Sequence, residues 1–327
     1  MVLRIGLIGS GIVTAKAHLP ALIRDPRFRI TALCRRDVGK LQGMQTQFPT
    51  AEVFTDAEAL IGSGAVDCVL VAADVSNHLD ISQMVIDHRL HGLIEKPVGP
   101  SAASIRSFIE SNPSELDRLM VAFNKRYYTG IAKFDELRLQ EQLSSIIGGT
   151  ISFLTRQGRK EGKAGILQNL IHTCDLVCHM FGKPLDVSAM FSKALNDERR
   201  GKTIAASVLT DRGCAVNLFF TSSSNWNVPV HEQIVVLDDR SSKLSIEDSD
   251  QIVFSRAEED GSIRNTIFRE SNSIFWRYNS FGYETQISAF GDLIEAKNSG
   301  PVANFHDALA AQELFEKIFK FDPEDGM

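Results

Sequence analysis

The chain has 327 residues, 43% of them hydrophobic and 23% charged, which is typical of a folded protein and long enough for two domains. Its net charge of -6 at pH 7 argues against the basic surface that a nucleic-acid partner requires. No signal peptide and no run of apolar residues long enough for a membrane span is evident, and the five scattered cysteines fit reduced thiols, so we expect a cytoplasmic protein without a membrane partner.

The first third of the chain alternates short β-rich runs with amphipathic helical patterns. The predicted strands cover residues 3–8, 29–34, 66–72, 92–94 and 119–123. The predicted helices cover residues 37–48, 78–88 and 101–111. Alternation of this kind is typical of a parallel, doubly wound sheet, so residues 1–123 are expected to form an α/β Rossmann domain.

After residue 123 the pattern changes to helices followed by consecutive strands. Helices are predicted over residues 130–142, 165–181, 281–297 and 306–320. Strands are predicted over residues 187–195, 203–209, 214–221, 232–238 and 251–254. The turn sequences at residues 211–213 and 259–261 separate neighbouring strands and favour antiparallel pairing. Residues 124–327 are therefore expected to form an α+β domain with a large, mostly antiparallel open sheet.

A glycine-containing loop follows the first predicted strand and leads into a helical pattern. Its sequence is Gly9-Ser10-Gly11-Ile12-Val13-Thr14. In this context the first glycine permits a tight turn, and the second lets a pyrophosphate approach the N–H groups of the helix N-terminus. Thr14 replaces the usual third Gly or Ala. The loop predicts that residues 9–13 bind a dinucleotide.

The end of the second predicted strand indicates which dinucleotide is bound. NAD enzymes place a carboxylate there, which accepts a hydrogen bond from the ribose 2′-OH. In this chain Arg35 and Arg36 occupy the position, and guanidinium groups suit a 2′-phosphate. NADP(H) is therefore the expected coenzyme, with NAD(H) possible. The alternative is that both arginines are simply solvated and that Asp37 caps the next helix.

Further motifs follow in order along the chain. They are His18-Leu19-Pro20-Ala21-Leu22, the strand of residues 66–72 followed by Asn77-His78, Glu95-Lys96-Pro97, Ala122-Phe123-Asn124-Lys125-Arg126-Tyr127, His172 with Asp175, and Gly282-Tyr283-Glu284. Together with the Gly9 loop, this ordered set resembles the Gfo/Idh/MocA family, the glucose–fructose oxidoreductase and inositol dehydrogenase group. The resemblance implies reversible hydride transfer between a nicotinamide ring and a carbinol or carbonyl carbon, usually of a sugar, polyol or nucleotide sugar.

The resemblance also implies the coenzyme and catalytic residues. The coenzyme contacts implied beyond the glycine loop and the arginines are Ala72, Asn77, His78, Glu95, Lys96 and Asn124. Lys96 matches the family lysine that lies beside the nicotinamide and the substrate oxygen, where an ammonium stabilises a developing alkoxide. Without the motif order, Glu95 and Lys96 could equally be a solvated pair at the end of a strand.

A helix predicted over residues 165–181 carries the second catalytic candidate, His172. Gln168, His172, Asp175 and His179 are spaced by four, three and four residues and so share one face. Gln168 stands where the family has an aspartate, and an amide cannot exchange a proton. The relay is therefore assigned to Lys96 and His172, although His172 could instead be a structural partner of Asp175.

The remaining expectations concern the substrate pocket, metals and partners. The pocket is assigned to Arg126, a solvent-exposed Tyr127, Gln168, Asn169 and Asp175. No metal site is predicted, because Cys174 and Cys178 project away from the His172 face. The expected partners are a small-molecule substrate and further copies of the chain, in a homodimer or homotetramer through the C-terminal sheet. Two alternatives stay open: a coenzyme-binding sensor without catalysis, and reduction of an imine or a non-sugar carbonyl.

Overall fold

The computed structural model divides the chain into two compact units. It describes residues 2–9, 11–155, 162–193, 202–222, 231–248, 250–269, 282–297 and 302–323. The first unit comprises Met1–Asn124 and Gly282–Leu309, and the second comprises Lys125–Phe281 and Ala310–Met327. The sequence placed a single boundary after residue 123, whereas the structure groups residues 282–309 with the first unit.

Within the described residues, the first unit contains a six-stranded parallel sheet in the order β3-β2-β1-β4-β5-β6. The strands are β1 (Leu3–Ile8), β2 (Phe28–Cys34), β3 (Glu52–Phe54), β4 (Cys68–Val71), β5 (His91–Ile94) and β6 (Leu119–Val121). The helices are α1 (Leu19–Arg24), preceded by a π-helical turn at Thr14–His18, α2 (Val38–Gln47), α3 (Ala57–Gly62), α4 (His78–Asp87) and α5 (Ala102–Ser111). This is the predicted Rossmann architecture.

The local sequence explains these elements. All four residues of β4 are buried, as expected for a parallel strand that is covered on both faces. The α2 and α3 helices begin after Asp37 and Asp56, whose carboxylates accept hydrogen bonds from backbone N–H groups of the first turn. Ser101 and Ser104 form a capping box at the start of α5. The caps thus determine where these helices start, and the apolar run explains why β4 is buried.

Helix α8 (Tyr283–Ile294) packs on the first unit, which explains why this late segment belongs there. The rings of Phe290 and Phe28 are stacked with centroids 6.0 Å apart. The Arg27 guanidinium donates to Asp292 Oδ1 at 2.6 Å and to the Ser288 carbonyl oxygen at 3.0 Å. Aromatic burial and charged hydrogen bonds thus attach the returning segment to the end of the first crossover.

In the second unit, the described strands form an eight-stranded sheet in the order β14-β13-β12-β11-β7-β10-β9-β8. The strands are β7 (Ile146–Leu154), β8 (Pro184–Lys193), β9 (Lys202–Thr210), β10 (Ala215–Thr221), β11 (His231–Asp238), β12 (Lys243–Glu247), β13 (Gln251–Ala257) and β14 (Ile263–Arg269). The helices introduced here are α6 (Thr129–Leu139), α7 (Gly162–Phe181) and α9 (Phe305–Phe319). The pairing is antiparallel except between β7 and β10, which run parallel.

Central strand β7 was not predicted, and its glycines explain the omission. Glycine lowers strand propensity, so Gly148-Gly149 disguises a strand in the sequence. In the structure a Cβ on Gly149 would lie 2.0 Å from the Val235 carbonyl oxygen of the neighbouring strand. The glycine therefore permits a close backbone approach between β7 and β11.

Helix α7 covers part of the second sheet with a wholly apolar inner side. Leu170, Cys174, Val177 and Phe181 are fully buried at positions that recur every three or four residues. Among the helices that the structure describes, none is both long and apolar enough to cross a lipid bilayer.

Candidate functional site

The loop after β1 has the backbone geometry of a phosphate-binding turn. Gly9 has φ +84°, and a Cβ there would lie 2.4 Å from the Ala72 carbonyl oxygen at the end of β4. The Gly9 N–H donates to the Cys34 carbonyl oxygen at 3.0 Å. A Cβ on Gly11 would meet no atom within 4 Å, so this second glycine leaves open space for a ligand. Ser10 lies outside the described residues.

A cavity of about 580 Å³ lies beside this loop at the carboxyl ends of the strands. The predicted coenzyme residues in its lining are Gly9, Gly11, Arg35, Arg36, Ala72 and Asn77. The lining residues that the sequence did not identify include Thr55, Asp56, Ala73, Asp74, Asp80, Ile81 and Met84. Ligands of open α/β sheets bind at this edge, and both the volume and the glycine cradle suit a dinucleotide.

The arginine end of the cavity also contains two carboxylates, both of which are used by helix caps. Asp37 accepts a hydrogen bond from the Lys40 N–H at 3.1 Å, and this bond lowers the pKa of Asp37. Asp56 accepts from the Ala59 N–H at 2.9 Å. The expected cap at Asp37 is thus confirmed, and Arg35 and Arg36 still line the cavity.

Other predicted coenzyme residues lie away from the cavity lining. Ile12 and Val13 are exposed at the start of the first helical segment, and Asn124 is buried at the end of the first unit. The His78 side chain is 2% exposed, and its Nδ1 and Nε2 atoms lie 2.8 and 3.1 Å from the carbonyl oxygens of Pro97 and Ala73. The His78 ring is thus enclosed between two backbone carbonyl oxygens, and its contact with the coenzyme stays a prediction.

Glu95, Lys96 and Pro97 directly follow β5. The Glu95 carboxylate is bonded to His18 Nε2 at 2.6 Å and accepts the Lys96 N–H at 3.1 Å. Burial alone would raise the pKa of Glu95, but the hydrogen bond from His18 and the nearby positive charges lower it below its ordinary value. Glu95 is therefore held as an anion by its neighbours in the protein, and its contact with the coenzyme stays a prediction. Lys96 is half-buried beside it.

In the second unit, α7 carries the predicted catalytic histidine. His172 and Asp175 are buried, while Gln168 and Asn169 are half-buried. Cys174 is fully buried, and burial raises the pKa of its thiol well above the ordinary value. Residues 170–181 of α7 are buried on all sides except at His179, so burial does not separate the expected polar face from the apolar one.

Two residues assigned to the substrate pocket form a buried ion pair instead. Arg126 Nε donates to Oδ1 and Oδ2 of Asp175 at 3.1 and 2.9 Å, and Nη2 donates to Oδ1 at 2.5 Å. Asp175 is 0% exposed, so its carboxylate serves this pair rather than a ligand. Tyr127 was expected at the surface, but its side chain is half-buried and its hydroxyl oxygen lies inside the protein.

The same segment contains a second buried ion pair that the sequence analysis did not identify. Lys125 Nζ lies 2.5 Å from Glu232 Oε1 and 3.4 Å from the centre of the Phe153 ring. Burial lowers the pKa of Lys125 despite the opposing charge of Glu232. No local signal could have revealed this pair, because 107 residues separate its members. Lys125 and Arg126 thus attach the segment after Asn124 to the interior of the second unit through two buried ion pairs.

Comparison with known proteins agrees with this geometry. Residues 3–123 match the model of an oxidoreductase family with an NAD-binding Rossmann fold. A D-apiose dehydrogenase from Rhizobium rhizogenes is 26% identical over 199 residues, 58% of this chain and 57% of that protein. The scyllo-inositol 2-dehydrogenase (NADP(+)) of Bacillus subtilis is 24% identical over 196 residues, 57% of this chain and 54% of that protein. The matches thus span little more than half the length of these curated relatives.

Solved structures extend the fold similarity over nearly the whole chain. A dehydrogenase from Chromobacterium violaceum has a TM-score of 0.84 at 16% identity and covers 98% of this chain and 95% of its own. An oxidoreductase from Agrobacterium radiobacter, in complex with NAD+, L-tartaric acid and magnesium, has a TM-score of 0.80 at 18% identity and covers 99% and 97%. The predicted resemblance is therefore confirmed over residues 3–123, which match the model of the Gfo/Idh/MocA oxidoreductase family, while the solved structures show the shared fold.

Proposed function

We propose that the chain is an NADP(H)-preferring dehydrogenase or ketoreductase that acts on a CH–OH or C=O group of a sugar, polyol or nucleotide-sugar-like substrate. The cavity beside the Gly9 loop carries this proposal, because its lining joins a phosphate-binding turn to Arg35 and Arg36. The two relatives described above support the substrate class, since their names denote dehydrogenases of a sugar and of a polyol. One of those names also includes NADP(+).

The preference for NADP(H) rests on the charges at the arginine end of the cavity. Asp37 and Asp56 accept backbone hydrogen bonds as helix caps, which leaves fewer acceptor positions for a ribose 2′-OH. The guanidinium groups of Arg35 and Arg36 can instead donate to a 2′-phosphate. This end of the cavity should therefore bind the 2′-phosphate of NADP(H) more tightly than the 2′-hydroxyl of NAD(H).

The proposed chemistry uses Lys96 and His172, the two catalytic residues that the family resemblance implies. Bound NADP(H) supplies or accepts the hydride. The Lys96 ammonium donates a hydrogen bond to the substrate oxygen and stabilises the negative charge that develops there. His172 exchanges the proton at that oxygen through a ring nitrogen, and the Gln168 amide can only orient the substrate. The buried Arg126–Asp175 pair holds α7, which carries His172, against the segment after Asn124.

Coenzyme titration followed by turnover tests the proposal. Nicotinamide fluorescence gives the Kd of NADPH and NADH for the wild type, for Arg35→Asp and Arg36→Asp, and for the control Arg240→Asp in an exposed turn after β11. We expect NADPH to bind at least about tenfold more tightly than NADH, and the cavity variants to abolish that difference. A panel of sugars, polyols and keto-sugars then follows with the preferred coenzyme. Equal affinities that ignore both substitutions would refute the coenzyme choice.

A coenzyme-binding sensor without catalysis is the second candidate, because Gln168 replaces the family aspartate. Lys96→Ala separates the two functions. An enzyme should lose about a hundredfold or more in kcat in this variant. A sensor should bind NADPH, turn over no substrate in the panel, and keep its biological output in the variant. Activity with imines but not with sugars would select the remaining alternative.

A further inference from the structure

The two residues that flank Lys96 are each hydrogen-bonded to a buried histidine. On one side Glu95 contacts His18, which is 0% exposed. On the other side the Pro97 carbonyl oxygen contacts His78, which is 2% exposed. All five residues belong to the first unit. The proposed catalytic lysine therefore lies in a short loop that is held at both of its neighbours.

His18 fixes the position of the Glu95 carboxylate. Its Nε2 atom lies 2.6 Å from Glu95 Oε1, a short distance typical of a charge-assisted hydrogen bond. The other carboxylate oxygen accepts the backbone N–H of Lys96 at 3.1 Å. The ring of Tyr283 meets the His18 ring edge-on, with centroids 5.1 Å apart, and restricts its orientation. A chain of contacts thus runs from Tyr283 through His18 and Glu95 to the Lys96 backbone.

His78 connects the other side of Lys96 to the coenzyme cavity. Its Nδ1 atom lies 2.8 Å from the Pro97 carbonyl oxygen, and its Nε2 atom lies 3.1 Å from the Ala73 carbonyl oxygen. Ala73 follows β4 and lines the cavity. One imidazole therefore links the loop after β4, beside the coenzyme cavity, to the loop after β5, which carries Lys96.

We propose that His18 and His78 are positioning residues, which fix the backbone on either side of Lys96 so that its ammonium is presented in a single orientation. Lysine has a long, flexible side chain, so a fixed backbone limits where its Nζ atom can reach. Both histidines act through their neighbours and neither contacts the substrate. The catalytic part of this inference rests on the proposed function, in which Lys96 binds the substrate oxygen.

Hydrogen exchange tests whether His18, through Glu95, holds the Lys96 backbone, and it needs no enzyme turnover. The Lys96 backbone N–H donates to Glu95, so its exchange rate reports whether Glu95 is held in place. His18→Leu removes the donor, and the Lys96 amide should then exchange at least about tenfold faster. His18→Gln places an amide N–H near the position of Nε2 and should restore most of the protection. The Ala72 amide, which donates to Ile8 within the sheet, is the control for an intact fold.

Should His18→Leu prevent folding, Glu95→Gln carries the same test. This variant keeps the shape of the side chain but replaces the carboxylate by a neutral amide, which weakens the bond to His18. Lys96 exchange should again be faster, while the Ala72 amide keeps its protection. Unchanged Lys96 exchange in a folded His18→Leu or Glu95→Gln protein would overturn the assignment of His18.

Measurements of kcat then show whether the contact between His18 and Glu95 contributes to the chemical step. His18→Leu should lower kcat at least about tenfold and change the NADPH Kd less than about twofold, because orientation rather than binding is lost. His18→Gln should recover most of kcat. In the Glu95→Gln background, His18→Leu should cause little further loss, since both act through the same contact. Independent, additive losses would contradict the proposal.

The second histidine has its own pair of variants. His78→Asn retains an N–H near the position of Nδ1 and should keep kcat within a few-fold of wild type, whereas His78→Leu should lower it at least about tenfold. Equal losses in both variants would show that the Pro97 contact does not matter. A wild-type protein that turns over no substrate would refute the proposed function, yet the exchange rates would still decide whether His18 anchors Lys96.

Discussion

At the residue scale, Gly9 has the most demanding backbone position of the coenzyme loop. Its φ of +84° lies in the left-handed region that side chains with a Cβ avoid. A Cβ there would also lie 2.4 Å from the Ala72 carbonyl oxygen, which is fixed at the end of a buried strand. Both the backbone angle and the close approach of two strands therefore require glycine.

Gly9→Ala should destabilise the protein, by about 1–3 kcal/mol in the free energy of unfolding, because the substitution is strained and clashes with backbone. Its matched control is Gly43→Ala in the middle of α2, where a Cβ meets no atom within 4 Å. The control should be stabilising, since alanine favours a helix more than glycine does. Urea denaturation measures both changes. Equal signs for the two variants would contradict this account of the loop.

Sequence motifs identified the chemistry at this scale but not the partners of each residue. The glycine loop and the arginines after β2 were found because their position relative to a strand is local information. The bonds of Glu95 to His18 and of His78 to Pro97 span 77 and 19 residues. The sequence gives no local pattern for such pairs, so neither contact was predicted.

At the element scale, most segments with a clear apolar pattern were predicted, whereas strands β3, β7, β12 and β14 and helix α3 were not. The predicted strands and helices of the first unit agree with the structure to within a few residues. Strand β3 has three residues, and β14 carries Arg264 in an exposed setting, so neither shows a clear alternation of apolar and polar residues. Because Thr55 and Asp56 follow β3, missing that strand also concealed part of the coenzyme cavity.

Helix α8 illustrates how one side chain attaches an element. Arg27→Met should lower the unfolding free energy by about 1–3 kcal/mol, because it leaves Asp25 and Asp292 without their common partner. Arg29→Met is the control, since Arg29 lies exposed on β2, two residues after Arg27. Thermal unfolding of the two variants gives the comparison. A loss as large in the control would show that charge on β2, rather than attachment of α8, is responsible.

At the scale of the whole molecule, the outer face of the second sheet exposes two large apolar side chains. Met190, Ala205 and Phe219 oppose one another across β8, β9 and β10, and Met190 and Phe219 are 74% and 41% exposed. A depression of about 490 Å³ on this face is lined by both polar and apolar residues of four strands. We propose that a second copy of the chain covers this face, as the family resemblance implies.

Light scattering coupled to gel filtration tests that assembly. The wild type should have at least twice the mass of one chain, and Phe219→Lys should shift the population towards the monomer, because a charge would be buried at the interface. Ile23→Lys is the control: Ile23 is 62% exposed, in α1 of the first unit. A monomeric wild type, or dissociation caused by the control, would refute the proposed interface.

The return of residues 282–309 to the first unit has a consequence for how the chain is made. During synthesis, the first 124 residues leave the ribosome long before α8. Arg27 and Phe28 therefore cannot form their contacts with α8 until the strands of the second sheet have been synthesised. Truncation after residue 124 would leave that surface uncovered permanently. If the first unit is transferred to another protein, residues 282–309 should therefore be included, because residues 1–124 alone lack part of the core of this unit.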